Sequence, residues 1–189
     1  MAITSPPRPM RADARRNYDR LLAEAKIVFV EQGVDAPLEE IARRAGVGIG
    51  TLYRHFPTRL TLQEAVYHDH VVSLAQQAHD LADRLPPSEA VREWMRIIAA
   101  SSRTKRGLTQ ALTATLEPHS EVFTSCHEKM RGAAGALLSR AQEAGEVRPE
   151  LDGLGLLRIA HAIAVASERS EDSGELLLTI MMDGLRPQS

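Results

Sequence analysis

Between Ile41 and Leu60 the chain reads IARRAGVGIGTLYRHFPTRL, with four arginines, a histidine, two threonines, a tyrosine and no carboxylate. Guanidinium, imidazole and hydroxyl groups without a neighbouring acid do one kind of chemistry well: they donate hydrogen bonds to an anion, and best of all to a run of phosphates. Gly46, Gly48 and Gly50 fall within five positions of the same stretch, where a missing side chain allows a sharp turn or a close approach by a partner. The other reactive residues are scattered. Cys126 is the single cysteine, so no intrachain disulfide forms, and a buried thiol is the default reading with a redox sensor as the alternative. His68, Asp69 and His70 in YHDHVV suggest a metal, but residues two apart on a helix do not share a face, and no metal site is expected. No Ser/His/Asp, Cys/His, paired-carboxylate or phosphate-loop constellation is present, so neither an enzyme nor a cofactor is expected.

Charge and composition narrow the class. The 189 residues carry a net charge of −2, unevenly spread: residues 1–60 hold 10 Lys and Arg against 7 Asp and Glu, and the remainder 13 against 18. A cationic end on an anionic body suits a protein that meets a polyanion with one end only; chance clustering of solvated charge is the plain alternative. Aromatics make up only 4%, and Ala, Leu, Arg and Glu favour helices over sheets. No apolar run reaches the roughly 20 residues that span a bilayer, so no membrane partner is expected. The N-terminal stretch lacks a signal-like apolar segment, which with one cysteine leads to a cytoplasmic expectation.

The elements that must hold the cationic stretch follow from periodicity. Residues 1–12, with SPPRP, are expected to be a flexible basic arm. A helix over 13–32 buries Tyr18, Leu21, Leu22, Ala25, Val28 and Phe29 at three- and four-residue spacing and ends at Gly33 in a left-handed cap. A short helix from about Pro37 carries Leu38, Ile41, Ala42 and Ala45 inward and breaks at Gly46. A third, about Ile49–Phe56, buries Leu52 and Phe56, with Val47 plugging the junction. Pro57 stops it, and Thr58 caps a long helix running to about Arg84. Further helices are expected at 88–102, 108–116, 121–144, 152–168 and 173–185, with no strand. The fold class is therefore all-α with about nine helices: a helix-turn-helix unit over 13–60 and a larger helical domain over 61–189.

Two short helices joined by a glycine turn put the second one in a DNA major groove and lay the first across the backbone. With Leu52 and Phe56 inward, a 3.6-residue repeat turns Gly50, Thr51, Arg54 and His55 outward and leaves Tyr53 at the boundary. Missing acids then have a cause, since each would oppose a duplex carrying one charge per about 1.7 Å. Ala45, Gly46, Val47, Gly50, Thr51, Leu52, Tyr53, His55, Phe56, Thr58 and Leu62 fall in register with the signature of the tetracycline-repressor (TetR) family, which this stretch resembles. Two capping positions depart from the pattern: Gly48 stands where the family usually has serine, and Pro37 where it often has serine or threonine. Arg59 replaces the usual lysine.

The resemblance implies a ligand-responsive transcriptional regulator, a repressor that binds a palindromic operator as a homodimer and is released by a small apolar effector. An inducer-independent architectural or cell-division protein on the same fold is the alternative. It implies that Thr51, Tyr53 and His55 bond phosphates, His55 alternatively bracing Tyr53. Thr58 and Arg59 clamp another phosphate at the start of the fourth helix. Ile49 and Gly50 approach base edges, Gly48 and Gly50 let the front of the helix sit deep in the groove, and Arg54 reads guanine or holds backbone. Arg43 and Arg44 are expected on phosphates, and Arg8, Arg11, Arg15 and Arg16 in a minor groove. Dimerisation through the last two helices is implied for Leu156, Leu157, Ala160, Ala164, Leu177, Ile180 and Met181, with intrachain core the competing role. Trp94, Met95, Phe123, Cys126 and Met130 could line an effector cavity, although such residues at helical spacing more often form core. His161, within RIAHAIA, is expected as a hydrogen-bonded core histidine or an effector contact.

Overall fold

The computed structural model describes residues 8–104, 121–167 and 171–187, and the side chains of all of these except 8–11, 102–104, 171 and 172. Among the described residues the chain forms eight helices and no strand: α1 (Arg8–Gln32), α2 (Leu38–Arg44), α3 (Ile49–His55), α4 (Arg59–Arg84), α5 (Pro87–Thr104), α6 (Glu121–Glu143), α7 (Gly153–Ala166) and α8 (Glu171–Gly184). The expected helix at 108–116 lies outside the described residues.

Local chemistry sets most of the boundaries. Among the described residues Gly33, Gly46 and Gly145 have left-handed φ, at 87°, 65° and 70°, and they end α1, α2 and α6. After Gly46 the Val47 amide donates back to Ala42 O at 3.0 Å, which closes the turn between α2 and α3. Thr58 caps α4 reciprocally: its side chain accepts from the Thr61 amide, and the Thr61 side chain accepts from the Thr58 amide. Asp152 caps α7 by accepting from the Gly155 amide at 2.7 Å. The first helix differs from expectation. It begins at Arg8 rather than near residue 13, because Pro9 falls in its first turn, where the missing N–H would have had no partner.

Two apolar cores result. The first gathers α1–α3 with Leu62, Val66, Tyr67 and Val71 from the start of α4 and Cys126 from α6. The second joins the far half of α4 with α5–α8 around Trp94, Met95, Leu138 and Leu156. A 26-residue α4 is about 39 Å long at 1.5 Å per residue, enough to serve both cores. The start of α6 does the same: Val122, Phe123 and Met130 pack on the first core, and Met130 also on the second.

Candidate nucleic-acid interface

The geometry of α3 follows from two buried anchors. Leu52 and Phe56 are 0% and 2% exposed, and the Phe56 ring lies 5.0 Å from that of Tyr18 on α1. Val47 packs half-buried against the same core. Fixing 52 and 56 turns the rest of the helix outward: Gly48, Ile49, Gly50, Tyr53 and Arg54 are exposed, and Thr51 is half-buried. Arg54 makes no ion pair among the described residues. His55 is half-buried, with its ring edge-on to Tyr18 at 5.9 Å and 72°. Its brace is therefore Tyr18 on α1, not Tyr53.

The glycines of α3 are informative for what they do not do. A Cβ added at Gly48 or Gly50 would meet no atom of the chain within 4 Å, and Gly48 has an ordinary φ of −71°. Neither position needs glycine to avoid a clash, and at Gly50, inside the helix, glycine costs about 1 kcal/mol relative to alanine. A bare backbone here leaves room for something from outside the chain.

The flanking cations are less free than the sequence suggests. Arg43 donates Nε and Nη2 to the two carboxylate oxygens of Glu40, each at 2.8 Å. Arg44 donates Nε to Glu40 at 2.8 Å and Nη1 to Glu31 on α1 at 2.7 Å. These guanidinium hydrogen bonds hold the Glu40 carboxyl down to about 2. Arg15 pairs with Asp19 at 3.9 Å and Arg16 with Asp13. The side chains of Arg8 and Arg11 lie outside the described residues.

Arg59 corrects the expected phosphate clamp. Its Nη1 donates to Val34 O at 3.1 Å and to Ala36 O at 2.6 Å, and buried Gln63 donates to the same Val34 carbonyl at 3.1 Å. The guanidinium thus ties the α1–α2 loop to the base of α4. Arg59→Ala is expected to cost about 2 kcal/mol of folding stability through the loss of two charge-assisted hydrogen bonds, and to leave the salt dependence of any duplex binding unchanged. Chemical denaturation and a salt titration measure the two effects, and a slope that falls by about one would return Arg59 to the phosphate contacts. Thr58 is exposed, and its hydroxyl serves the cap.

The expected effector residues divide between the two cores. Trp94 and Met95 are 0% and 1% exposed in the second core, and Trp94 Nε1 donates to Leu74 O at 2.8 Å. Phe123 stacks on Tyr67 at 6.3 Å, beside Cys126 in the first core, and burial pushes the Cys126 thiol upward in pKa. Met130 lies between the two cores. His161 is exposed, which corrects the expected core histidine. A groove of about 320 Å³ lies between α4 and α6, lined by Ala78, Ala82, Ala133 and Leu137 and edged by His79, Asp83 and Arg140.

Of the expected dimer residues, Leu156, Ala160 and Ala164 are buried within the chain's own second core or beside it, a correction. Leu157, Leu177 and Met181 are half-buried and pack on that core. Ile180 is 58% exposed, and it is joined by Leu154, Val165 and Leu176, which periodicity did not single out. The signal for them was weak, since α7 is apolar on nearly every face and the inward one cannot be chosen from spacing.

Residues 21–66 match the family described as bacterial regulatory proteins, tetR family, and residues 86–187 match the C-terminal domain of SbtR-like transcriptional regulators. A TetR transcriptional regulator from Streptomyces coelicolor is 39% identical with a TM-score of 0.74, over 91% of this chain and 99% of that one. A TetR transcription regulatory protein from Mycobacterium vanbaalenii is 36% identical with a TM-score of 0.75, over 95% of this chain and all of that one. The curated regulator TtgW of Pseudomonas putida is 38% identical over 95 residues, 49% of this chain and 66% of its own length, so the match spans just under two thirds of that relative. With a buried-anchor helix-turn-helix in front, a helical body behind and both halves matched, the chain belongs to the tetR family of bacterial transcriptional regulators.

Proposed function

We propose that the protein is a repressor that binds a palindromic operator as a homodimer, reading the major groove with α3, and that a small apolar effector bound in the C-terminal unit releases it. The observation that carries the DNA reading is the outer face of α3, where Gly48, Ile49, Gly50, Tyr53 and Arg54 are exposed and no acid intervenes. Ile49 suits a thymine methyl, Arg54 suits guanine, and Tyr53 with Thr51 suits flanking phosphates. Exposed Leu154, Val165, Leu176 and Ile180 supply a patch for the second subunit.

Arg54→Ala is expected to relax specificity at one base pair by about 1–3 kcal/mol, measured by binding-site selection against the unsubstituted protein. Uniform weakening with a salt slope lower by about one would make Arg54 a phosphate contact instead, and no effect would reject both roles. Tyr53→Phe should weaken all duplexes alike without changing the slope, because a neutral hydroxyl releases no counterion.

Support for the effector comes from α6. Its first turns belong to the core under the helix-turn-helix and its later ones to the second core. A ligand that displaced α6 in the second core would therefore shift its anchor in the first, and so bias the separation of paired α3 helices. One observation favours an inducer-independent regulator: Trp94 and Met95 are buried, at 0% and 1% exposure, as core residues are. Gel shifts of the operator with a panel of small apolar compounds separate the two. Release by any of them supports the first reading, and genome-wide occupancy insensitive to all supports the second.

A further inference from the structure

The stretch from Ile41 to Leu60 is free of acids in sequence, yet the fold sets two carboxylates on it. Glu40 precedes it by one residue and Glu31 reaches it from α1. Glu40 accepts three hydrogen bonds at 2.8 Å, two from Arg43 and one from Arg44, and Glu31 accepts a fourth from Arg44 at 2.7 Å. Two cations face two anions, so the end of α2 is close to neutral, whereas Arg54 on α3 makes no ion pair among the described residues. We propose that Glu40, assisted by Glu31, is a specificity-determining residue that holds Arg43 and Arg44 back from indiscriminate phosphate binding, so that discrimination between duplexes falls to α3. This rests on the duplex-binding reading above.

The physical reason is that phosphate attraction carries no sequence information. Each phosphate neutralised by a protein cation steepens the dependence of log K on log salt by about 0.9, whatever the base pairs. A guanidinium already paired with a carboxylate contributes little to that attraction, since phosphate must displace the carboxylate first. Arg43 is 71% exposed, so the neutralisation comes from its partner rather than from burial. Glu40, held down to about 2 by its arginine partners, stays ionised at any pH used for binding. Only substitution removes its charge.

The test is Glu40→Gln, with binding to a random-sequence duplex followed by fluorescence anisotropy across a potassium chloride series. The variant is expected to bind about tenfold more tightly near 0.1 M salt with a slope steeper by about one to two. Its affinity for a duplex selected by the unsubstituted protein should rise less, so the ratio of specific to random binding falls. Glu31→Gln, on an exposed turn of α1, should give a smaller change in the same direction. The effect of Glu40→Gln should vanish when Arg43 and Arg44 are both glutamine. Unchanged or weaker random binding by both variants, with thermal melts showing them folded, would overturn the proposal. So would a slope increase that survives in the double-glutamine background. If the unsubstituted protein binds no duplex even at low salt, the DNA-binding reading falls and this inference with it; if it binds and the variants match it, only the role of Glu40 falls.

Discussion

Ile180→Glu is expected to dissociate the proposed homodimer into monomers at micromolar concentration. Ile180 is 58% exposed on α8, and Leu176, one turn earlier, is 61% exposed. From α7 the exposed aliphatic side chains are Leu154 and Val165. Full burial of such a side chain stabilises by about 1.5–3 kcal/mol, and a two-fold interface counts each substitution twice. Losing two isoleucine contacts and desolvating two carboxylates should together weaken association by about 4–6 kcal/mol, roughly a thousand- to twenty-thousandfold in the dimer constant. Sedimentation velocity reads the change directly. The melting temperature of the isolated subunit should hardly move, because the side chain is outside the chain's own core. Binding to a palindrome should fall steeply and binding to a half-site should not. An unaltered dimer would place the subunit contact elsewhere.

Trp94→Ala is expected to cost about 3–5 kcal/mol of folding stability. The indole is fully buried among α4–α7 residues, and its N–H satisfies the Leu74 carbonyl. Truncation leaves a large void in a core whose other members include residues as short as Ala90, Ala133 and Ala134, which cannot refill it. For a chain of this size the melting temperature should drop by roughly 10 °C, which differential scanning calorimetry measures. The outcome separates core from cavity wall. If Trp94 lined a pocket, its loss would be nearly neutral for stability and would show instead in the response to an effector.

The helix-turn-helix was legible in the sequence because its signals are local. Leu52 and Phe56 lie one helical turn apart and are both buried. Gly33 and Gly46 are where left-handed caps form, and Thr58 is the side chain that caps α4. Each of these features is decided within about one helical turn of chain, where steric and hydrogen-bonding preferences act without tertiary help. Pro9 was misread because a proline that would break a helix interior is harmless in its first turn.

By itself, then, the sequence determined most of the described helices, the caps at Gly33, Gly46 and Thr58, and the buried side of α3, all set by chemistry between near neighbours. Thr51 and His55, expected outward, are half-buried, and Tyr53, expected at the boundary, is exposed. Tertiary structure decided what those faces meet. Arg59 turns to carbonyls 23 and 25 residues away, and Arg44 to a carboxylate 13 residues away, so a guanidinium expected on phosphate is found bonded to its own protein. In α7, apolar on most sides, only packing separates buried Leu156 and Ala160 from exposed Leu154 and Val165. A side chain's partner depends on the distance between elements remote in sequence, and periodicity records only the direction in which it points.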